Sequence, residues 1–249
     1  MISLKTNFML RSISIFVFFL LWTFFSTIFD SSLLPNPTDV FLKIMSEFKS
    51  SELVFHTSLT LRRVLISFTF AMLIGTVVGI LLGRREKFNA FFDDWLVLGL
   101  NVPALVIIIL CYVWFGLNET AAVLAVALNK IPMVAVIMRE GARSLDKQYI
   151  DVAKFYNVDK KKMFVKVVFP QLYPYLMSSA RSGLSLIWKI VLVVELLGRS
   201  NGVGFKLYGF FQFFDISGIL AYTLTFVAII IFVEFLLVRP IEKKLTAWR

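Results

Sequence analysis

Two neighbouring stretches, Asp151-Val152-Ala153-Lys154-Phe155-Tyr156-Asn157 and Val167-Val168-Phe169-Pro170, lie in a lysine-rich segment between long apolar runs. We call residues 140–170 the hairpin. Its composition is that of a water-soluble surface, whereas the sequence on both sides is apolar enough to enter a bilayer. Such a segment between membrane spans is typical of a surface that docks a soluble partner. The alternation predicts an all-α, polytopic membrane protein.

The composition supports this class. Of the 249 residues, 59% are hydrophobic and the mean hydropathy is +0.82, whereas soluble domains are about 45–50% apolar. The apolar residues form runs long enough for helices of roughly 20 residues, the length that crosses a bilayer. We therefore expect residues 1–249 to form a single membrane domain. The single cysteine, Cys111, allows neither an intrachain disulfide nor a cysteine metal cluster.

Six runs are predicted to span the membrane. They are residues 12–29, 64–83, 95–118, 120–138, 175–197 and 216–238. Pro103 is expected to kink the third span. The first is expected to stay uncleaved, because its apolar stretch is longer than that of a signal peptide. Between the first two spans, the prolines at 35 and 37 precede a predicted amphipathic helix, about Thr38–Phe48.

The net charge of +10 alone fits either nucleic acid or a membrane surface as partner. Most of the 26 lysine and arginine residues fall in the termini, the Arg84 loop and the hairpin. Because positive loops face the cytoplasm, this bias favours the membrane over nucleic acid and predicts cytoplasmic termini and a cytoplasmic hairpin. Arg62 and Arg63 are exceptions, since they lie at the opposite end of the second span.

The second span carries a small residue at every fourth position, namely Ala71, Gly75, Gly79 and Gly83. This spacing places them near one face of a helix, where small residues let two helices approach closely in lipid. The neighbouring helix could belong to the same chain or to a second subunit.

The hairpin contains caps for two helices. Ser144 or Asp146 could cap a helix running to Tyr156, and Asn157 would follow its end, where a left-handed residue is often needed. Asp159 could cap a second helix that ends before Pro170. Ala153 and Asn157 share one side of the first helix, where a small side chain would let a partner's groove close around it.

Three consecutive lysines, 160–162, follow Asp159, and Lys166 comes shortly after them. Cations at a helix start oppose the helix dipole, so we expect them to serve an external anion. That anion could belong to lipid headgroups or to an acidic patch on a partner. A merely solvated basic loop is the simpler alternative.

The hairpin resembles the "EAA" loop of bacterial ABC importer permeases, with Asp151 for its acidic residue, Ala153 for its small residue, Asn157 for its glycine and Pro170 for its proline. Asp for Glu and Asn for Gly are mild departures. From His56 onward the chain looks like permeases of the nitrate, sulfonate and taurine importer group. The matching segments are Ser58–Val64, Pro103–Leu105, Trp114–Gly116, Gly141–Asp146 and Gly202–Gly204, with single matches at Arg181, Trp188 and Glu195.

The resemblance implies the transmembrane subunit of an ATP-driven importer in the bacterial cytoplasmic membrane. Its implied partners are separate ABC ATPase subunits, a second and identical permease copy, a periplasmic or lipid-anchored solute-binding protein, and membrane lipid. The ATPase-docking residues would be Asp151, Ala153, Asn157, Val158 and Pro170. The solute would resemble nitrate, a sulfonate, taurine or a vitamin precursor. No cofactor is implied, and the chain has no P-loop motif for ATP.

The fifth span contains Arg181, Trp188 and Glu195 at intervals of seven, which form one stripe, with Lys189 beside it. Charges within spans are costly and usually face a cavity or a partner, so these four residues are candidates for the solute pathway. Snorkelling or a structural ion pair with another span would also explain them. The same alternatives apply to Lys130, beside Pro132.

Two other function classes fit the sequence less well. A membrane-embedded enzyme would need a cluster of catalytic groups, which one histidine (His56), one cysteine and scattered carboxylates do not provide. No catalytic or metal residues are therefore expected. A non-transporting anchor or assembly subunit could share the hairpin, but it would not need polar residues within its spans.

Overall fold

The computed structural model describes residues 4–29, 33–238 and 240, and these residues are helical with no strand. The first six helices are α1 (Leu4–Phe29), α2 (Pro37–Lys49), α3 (Glu52–Arg84), α4 (Glu86–Asn101), α5 (Ala104–Phe115) and α6 (Glu119–Arg143). The others are α7 (Lys147–Phe155), α8 (Lys160–Met163), α9 (Phe169–Gly198), α10 (Val203–Gln212) and α11 (Ile216–Val233). The all-α prediction is confirmed, and α2 matches the predicted amphipathic helix.

Within the described residues, four helices are long and apolar enough to cross a membrane, at 12–29, 52–84, 119–143 and 216–236. The pair α4 and α5 could supply a fifth crossing. The predicted span 175–197 lies in α9, which has 30 residues. This helix carries four serines and the three charged residues Arg181, Lys189 and Glu195, and it is not among the four. The prediction of six membrane spans is therefore not confirmed by the apolarity and length of the helices.

The third predicted span, 95–118, is divided between two helices bent by 97° at their junction. Pro103 is the physical reason, because its ring disfavours helical backbone at the preceding residue. Val102 accordingly has extended backbone, with φ −67° and ψ 124°. The break is thus sharper than the expected kink.

The small residues of α3 pack against α6 of the same chain. A Cβ added at Gly75 would lie 2.6 Å from Val134 Cβ, and one at Gly83 would lie 2.6 Å from Ala142 Cβ. Gly79 lies against the backbone of Ala135 in the same manner. Of the two alternatives for this stripe, the structure therefore supports packing within one chain.

The second hairpin helix does not end before Pro170. A π-helical turn, Phe164–Val168, joins α8 directly to α9, and the Phe169 N–H donates to the Phe164 carbonyl. Pro170 lies in the first turn of α9, where its missing N–H costs little. The second helix of the hairpin and the predicted fifth span are consequently one continuous helical rod from Lys160 to Gly198.

Candidate functional site

The turn of the hairpin is defined by its backbone hydrogen bonds. The Asp146 side chain accepts from Gln148 N and caps α7, and the Asp159 side chain accepts from Lys161 N and caps α8. Asn157 has φ 50°. The Val158 N–H donates to the Ala153 carbonyl at 2.9 Å, the bond of a Schellman cap. The predicted caps and the left-handed residue are therefore present.

Ala153 contributes to the interior of the hairpin rather than to its outer surface. It is buried, whereas Asp151 is exposed and forms an ion pair with Lys154 at 3.1 Å. A cavity of about 820 Å³ separates α7 from the start of α9, and Ala153, Val158 and Pro170 line it. The expectation that a partner's groove closes directly around Ala153 must therefore be restated, because its small size already serves the chain's own packing.

The exposed face of α7 is aromatic and aliphatic. Phe155 is 81% exposed and Tyr156 is 73% exposed, with their rings in edge-to-face contact. Tyr149 and Val152 are exposed on the same helix. Large aromatic side chains so exposed at the end of a membrane bundle are typical of an interaction surface.

The four candidate residues of α9 fall into different environments. Arg181 is half-exposed and forms an ion pair with Glu234 at 3.2 Å. Trp188 is buried in edge-to-face contact with Phe226, and Lys189 is exposed. Glu195 is completely buried at the other end of the helix. The structure thus does not gather these four into one site.

Arg181 and Trp188 line a polar groove of about 500 Å³ between α9 and α11. The remaining lining residues are Pro174, Ser178, Ser182, Leu184, Ser185, Ile230 and Glu234. Three serine hydroxyls, a guanidinium and a carboxylate in one groove can hydrogen-bond a small polar solute.

Glu195 is held in a buried ion pair at the distal end of the bundle, by which we mean the end opposite the hairpin. Its Oε1 accepts from Arg63 Nη1 at 2.6 Å, and its Oε2 accepts from Thr60 Oγ1 and Gly204 N at 2.9 Å each. Arg63 is 3% exposed. Each charge therefore has both an opposite charge and further hydrogen bonds, the condition under which a buried ion pair is tolerated.

Arg63 also connects this pair to the surface of the distal end. Its Nε donates to Glu119 Oε2 at 2.8 Å, and its Nη2 donates to the side chain of Asn201. Glu119 in turn accepts from Arg199 at 3.1 Å. The network joins α3, the start of α6 and the loop after α9, so it fixes the distal ends of the helices relative to one another.

The loop after α9 needs its glycines to reach Glu195. Gly202 has φ 110°, and an added Cβ would collide with the Glu195 carboxyl group; one at Gly204 would collide with the Leu192 carbonyl. We expect Gly202→Ala to lower the free energy of unfolding by about 1–3 kcal/mol, because it combines backbone strain with a clash. Thermal unfolding in detergent measures this. Gly209→Ala is the control, since its Cβ would meet no heavy atom within 4 Å. An equal effect of both substitutions would contradict this explanation.

His56 extends the network towards α2 and α10. Its Nδ1 accepts from Gly202 N at 2.9 Å, and its Nε2 faces Glu52 Oε2 at 3.2 Å. Lys206 reaches Glu52 at 2.9 Å. These contacts give His56 a structural role. Within the described residues, no group of three or more His, Cys, Asp or Glu side chains could hold a metal ion.

Lys43 of α2 contacts Asp215, the N-cap of α11, at 2.9 Å. Burial tends to raise the pKa of Asp215, but hydrogen bonds from Lys43 and from the Gly218 N–H outweigh it and lower this pKa below its ordinary value. Asp215 therefore stays ionised at neutral pH and keeps the start of α11 against α2.

Sequence reasoning did not identify Arg63 as the partner of Glu195. One pattern in the sequence could have indicated that Arg63 is buried. The small-residue stripe of α3 continues towards the distal end as a stripe of polar residues. His56, Thr60, Arg63 and Ser67 follow the same helical spacing as Ala71 and Gly75, and all are buried. Arg62, in contrast, is exposed. A polar extension of a packing face predicts buried polar partners on the facing helices.

A helical membrane bundle with a soluble hairpin, a rod from that hairpin into the bundle and a polar groove along it is the arrangement of a transporter's membrane subunit. Residues 71–245 match the family described as "Binding-protein-dependent transport system inner membrane component". The chain belongs to this family, whose members are transport components and not enzymes.

Similar permeases align with most of the chain. It is 28% identical to the putative aliphatic sulfonates transport permease protein SsuC of Bacillus subtilis (strain 168), over 88% of this chain and 79% of SsuC. It is 27% identical to the taurine transport system permease protein TauC of Escherichia coli (strain K12), over 86% and 80% of the two chains. The bicarbonate transport system permease protein CmpB of Synechococcus elongatus is 26% identical over 78% and 74%.

Solved structures share the fold. An inward-facing structure of the MetNI methionine ABC transporter superposes with a TM-score of 0.69 at 17% identity, covering 80% of this chain and 99% of that one. An amino acid ABC transporter gives a TM-score of 0.58 at 19% identity, covering 82% and 96%.

The chain is thus the translocating inner-membrane subunit of a binding-protein-dependent ABC importer, and these relationships do not support the anchor alternative. Such a subunit works with ATPase subunits and a solute-binding protein. It lies in the inner membrane.

Proposed function

We propose that residues 1–249 form one permease domain that imports a small solute bearing an anionic group, through a pathway shared with a second, identical copy. The polar groove containing Arg181 carries this proposal. This groove combines a cation with several hydroxyl groups along a bundle-length helix. Arg181, Trp188, Lys189 and Glu195 remain the candidate pathway residues, with Arg181 the foremost because it faces this groove.

The relatives support the solute class. Sulfonates, taurine and bicarbonate all carry a negatively charged oxygen-bearing group, and these solutes are named for three of the similar permeases. A guanidinium recognises such groups through paired N–H donors. Nitrate-like and vitamin-precursor-like solutes also belong to the proposed class if they carry oxygen atoms that can accept these N–H hydrogen bonds.

We also infer that the hairpin and both termini face the cytoplasm and that the outer helices contact lipid. The excess of lysine and arginine in the hairpin supports a cytoplasmic position for it and for both termini. The basic residues after 240 lie outside the described residues. Exposed aromatic and aliphatic side chains on α1, such as Phe16 and Phe18, support contact with lipid.

The continuous rod suggests how ATP would drive transport. The hairpin residues Asp151, Ala153, Asn157, Val158 and Pro170 would form the ATPase-docking unit, with α7 resting on the ATPase. When the ATPases close, α7 and α8 would move with them. Because α8 continues through the π-helical turn into α9, this movement would tilt the wall of the groove and alternate its access.

The test is uptake into proteoliposomes that contain the permease, its cognate ATPase and its binding protein, with radiolabelled taurine, methanesulfonate and bicarbonate as probes. We expect Arg181→Gln to reduce uptake of the accepted anion by roughly 10-fold or more, the effect of losing one charged hydrogen bond, while the ATPase still co-purifies. Lys87→Gln is the charge-matched control, because Lys87 is exposed at the start of α4.

A second variant separates recognition from structure. The exchange Arg181→Glu with Glu234→Arg keeps an ion pair between α9 and α11 but reverses its direction. If the pair is only structural, the exchange restores uptake. Restored uptake would overturn the assignment of Arg181 to the pathway, whereas persistent loss with intact assembly supports it.

A further inference from the structure

Lys130 is a buried cation near the middle of the membrane-spanning helix α6. Its exposed fraction is 6%. None of the ion pairs found among the described residues includes Lys130. By contrast, the buried Arg63 and the half-buried Arg139 both form ion pairs with carboxylates. A charge within a membrane-spanning helix that lacks such a pair is costly and marks a function.

The direction of Lys130 follows from its neighbours on α6. Val134, four residues later, contacts Gly75 of α3, and Gly141, eleven residues later, contacts Tyr175 of α9. Residues at these spacings share one side of a helix. Lys130 therefore lies on the side of α6 that faces both α3 and α9, and we call this region the three-helix junction.

A second polar group in the junction also lacks a partner. The hydroxyl of Thr76 on α3 is buried and, among the described residues, forms no hydrogen bond. Met72, one turn before it, contacts the fully buried Ser179 of α9 at 3.9 Å. Thr76 is thus on the α9-facing side of α3. A buried donor without a partner on α3, facing a buried lysine on α6, is an exception that needs an explanation.

The junction also contains unfilled space. Gly183 follows Ser179 by one turn and is buried, yet an added Cβ there would have no heavy atom within 4 Å. Most other glycines of the helices face close contacts, as Gly75, Gly79 and Gly141 do. Gly183 is therefore not required for close packing, and its absent side chain leaves room beside α9.

We propose that the three-helix junction is a binding site for the negatively charged oxygen-bearing group of the solute, with Lys130 as its cation, Thr76 as a second donor and Ser179 as polar lining. This rests on the proposed function, and it adds a site distinct from the Arg181 groove. Movement of α9 with the hairpin would open the junction, since α9 forms one of its walls.

The first readout separates a functional lysine from a structural one. Lys130→Met keeps the length of the side chain and removes a buried charge, so we expect an unchanged or higher unfolding temperature of the purified complex. Uptake of the accepted anion should fall by roughly 10-fold to 100-fold, the loss of one charged hydrogen bond. Lys87→Met, at an exposed position, should change neither. A lower unfolding temperature together with normal uptake would overturn the proposal.

The second readout does not depend on uptake. In the complex carrying Cys111→Ala and Gly183→Cys, which keeps Lys130, the anionic reagent sulfonatoethyl methanethiosulfonate should label the introduced cysteine only while ATP is being hydrolysed, and methanesulfonate should slow the labelling. Adding Lys130→Met to this variant should abolish the slowing by methanesulfonate. Labelling that never occurs, or that methanesulfonate does not slow, would overturn the proposed site. If the wild-type complex takes up none of the three anions while labelling behaves as expected, the proposed solute class fails and the junction site stands.

Discussion

Removing one partner of the buried ion pair is expected to destabilise the permease strongly. Arg63→Met leaves the carboxylate of Glu195 without its compensating charge in a completely buried position. Such a change typically costs 3–5 kcal/mol, so we expect a markedly lower unfolding temperature in detergent and poor recovery of the folded subunit. Glu195→Ala should destabilise the subunit less than Arg63→Met, because the guanidinium of Arg63 keeps its ion pair with Glu119.

Two further variants make this result specific. Arg62→Met is the matched control, since Arg62 is the neighbouring arginine but is exposed, and it should leave the unfolding temperature nearly unchanged. The double substitution Arg63→Met with Glu195→Met replaces both charges by apolar groups, which is often neutral when volume is kept. It should recover much of the stability lost in either single variant. Equal behaviour of the Arg62 and Arg63 variants would contradict the role assigned to this pair.

The hairpin was predictable in detail because its structure is local. Asp146 and Asp159 cap helices through side chains that bond backbone two residues away, and Asn157 adopts the left-handed backbone that its position after a helix requires. Caps and turns depend on a few consecutive residues. The sequence itself therefore contains the information that fixes them.

The distal network was not predictable in the same way. Arg63 and Glu195 are separated by 132 positions, and the sequence shows only two costly charges near the ends of two spans. Which helices face one another is decided by the packing of the glycine stripe of α3 against α6. Once that packing is known, the polar residues that continue the stripe must find partners, and Glu195 and Glu119 are the carboxylates that Arg63 meets.

The path of the chain at prolines was also only partly predictable. Pro103 was expected to bend a helix and in fact divides it, whereas Pro170 was expected to end a helix and lies within a continuous rod. A proline removes one backbone N–H and therefore one helical hydrogen bond. The surrounding structure decides whether the helix breaks there or continues with a shifted hydrogen-bond register. Here a π-helical turn before Pro170 supplies the change of register.

Loss of ATPase docking is the second large effect that we expect. Phe155 is 81% exposed at the end of α7 and contacts only its neighbour Tyr156 among the aromatic side chains of the described chain. Phe155→Ala should leave the hairpin folded, because its caps lie elsewhere. If α7 rests on the ATPase, removing this anchor should weaken binding by about 2 kcal/mol or more, the loss typical of an interface hot spot.

The measurement is co-purification of the cognate ATPase with the tagged permease in detergent. Phe213→Ala is the matched control, because Phe213 is equally exposed at 83% but lies at the distal end, in the turn before α11. We expect the ATPase to be lost from the Phe155 variant and kept by the Phe213 variant.

Ala153→Arg tests the same surface through the fold of the hairpin. Its long charged side chain would enter the space between α7 and the start of α9 that Ala153 lines and place a charge inside the hairpin, so α7 should be displaced from the start of α9. We expect it to abolish co-purification, with the membrane helices still folded, since the Arg63–Glu195 pair lies at the other end of the bundle. Retention of the ATPase by both the Phe155 and the Ala153 variants would show that the coupling of ATP to the α9 rod runs through another surface.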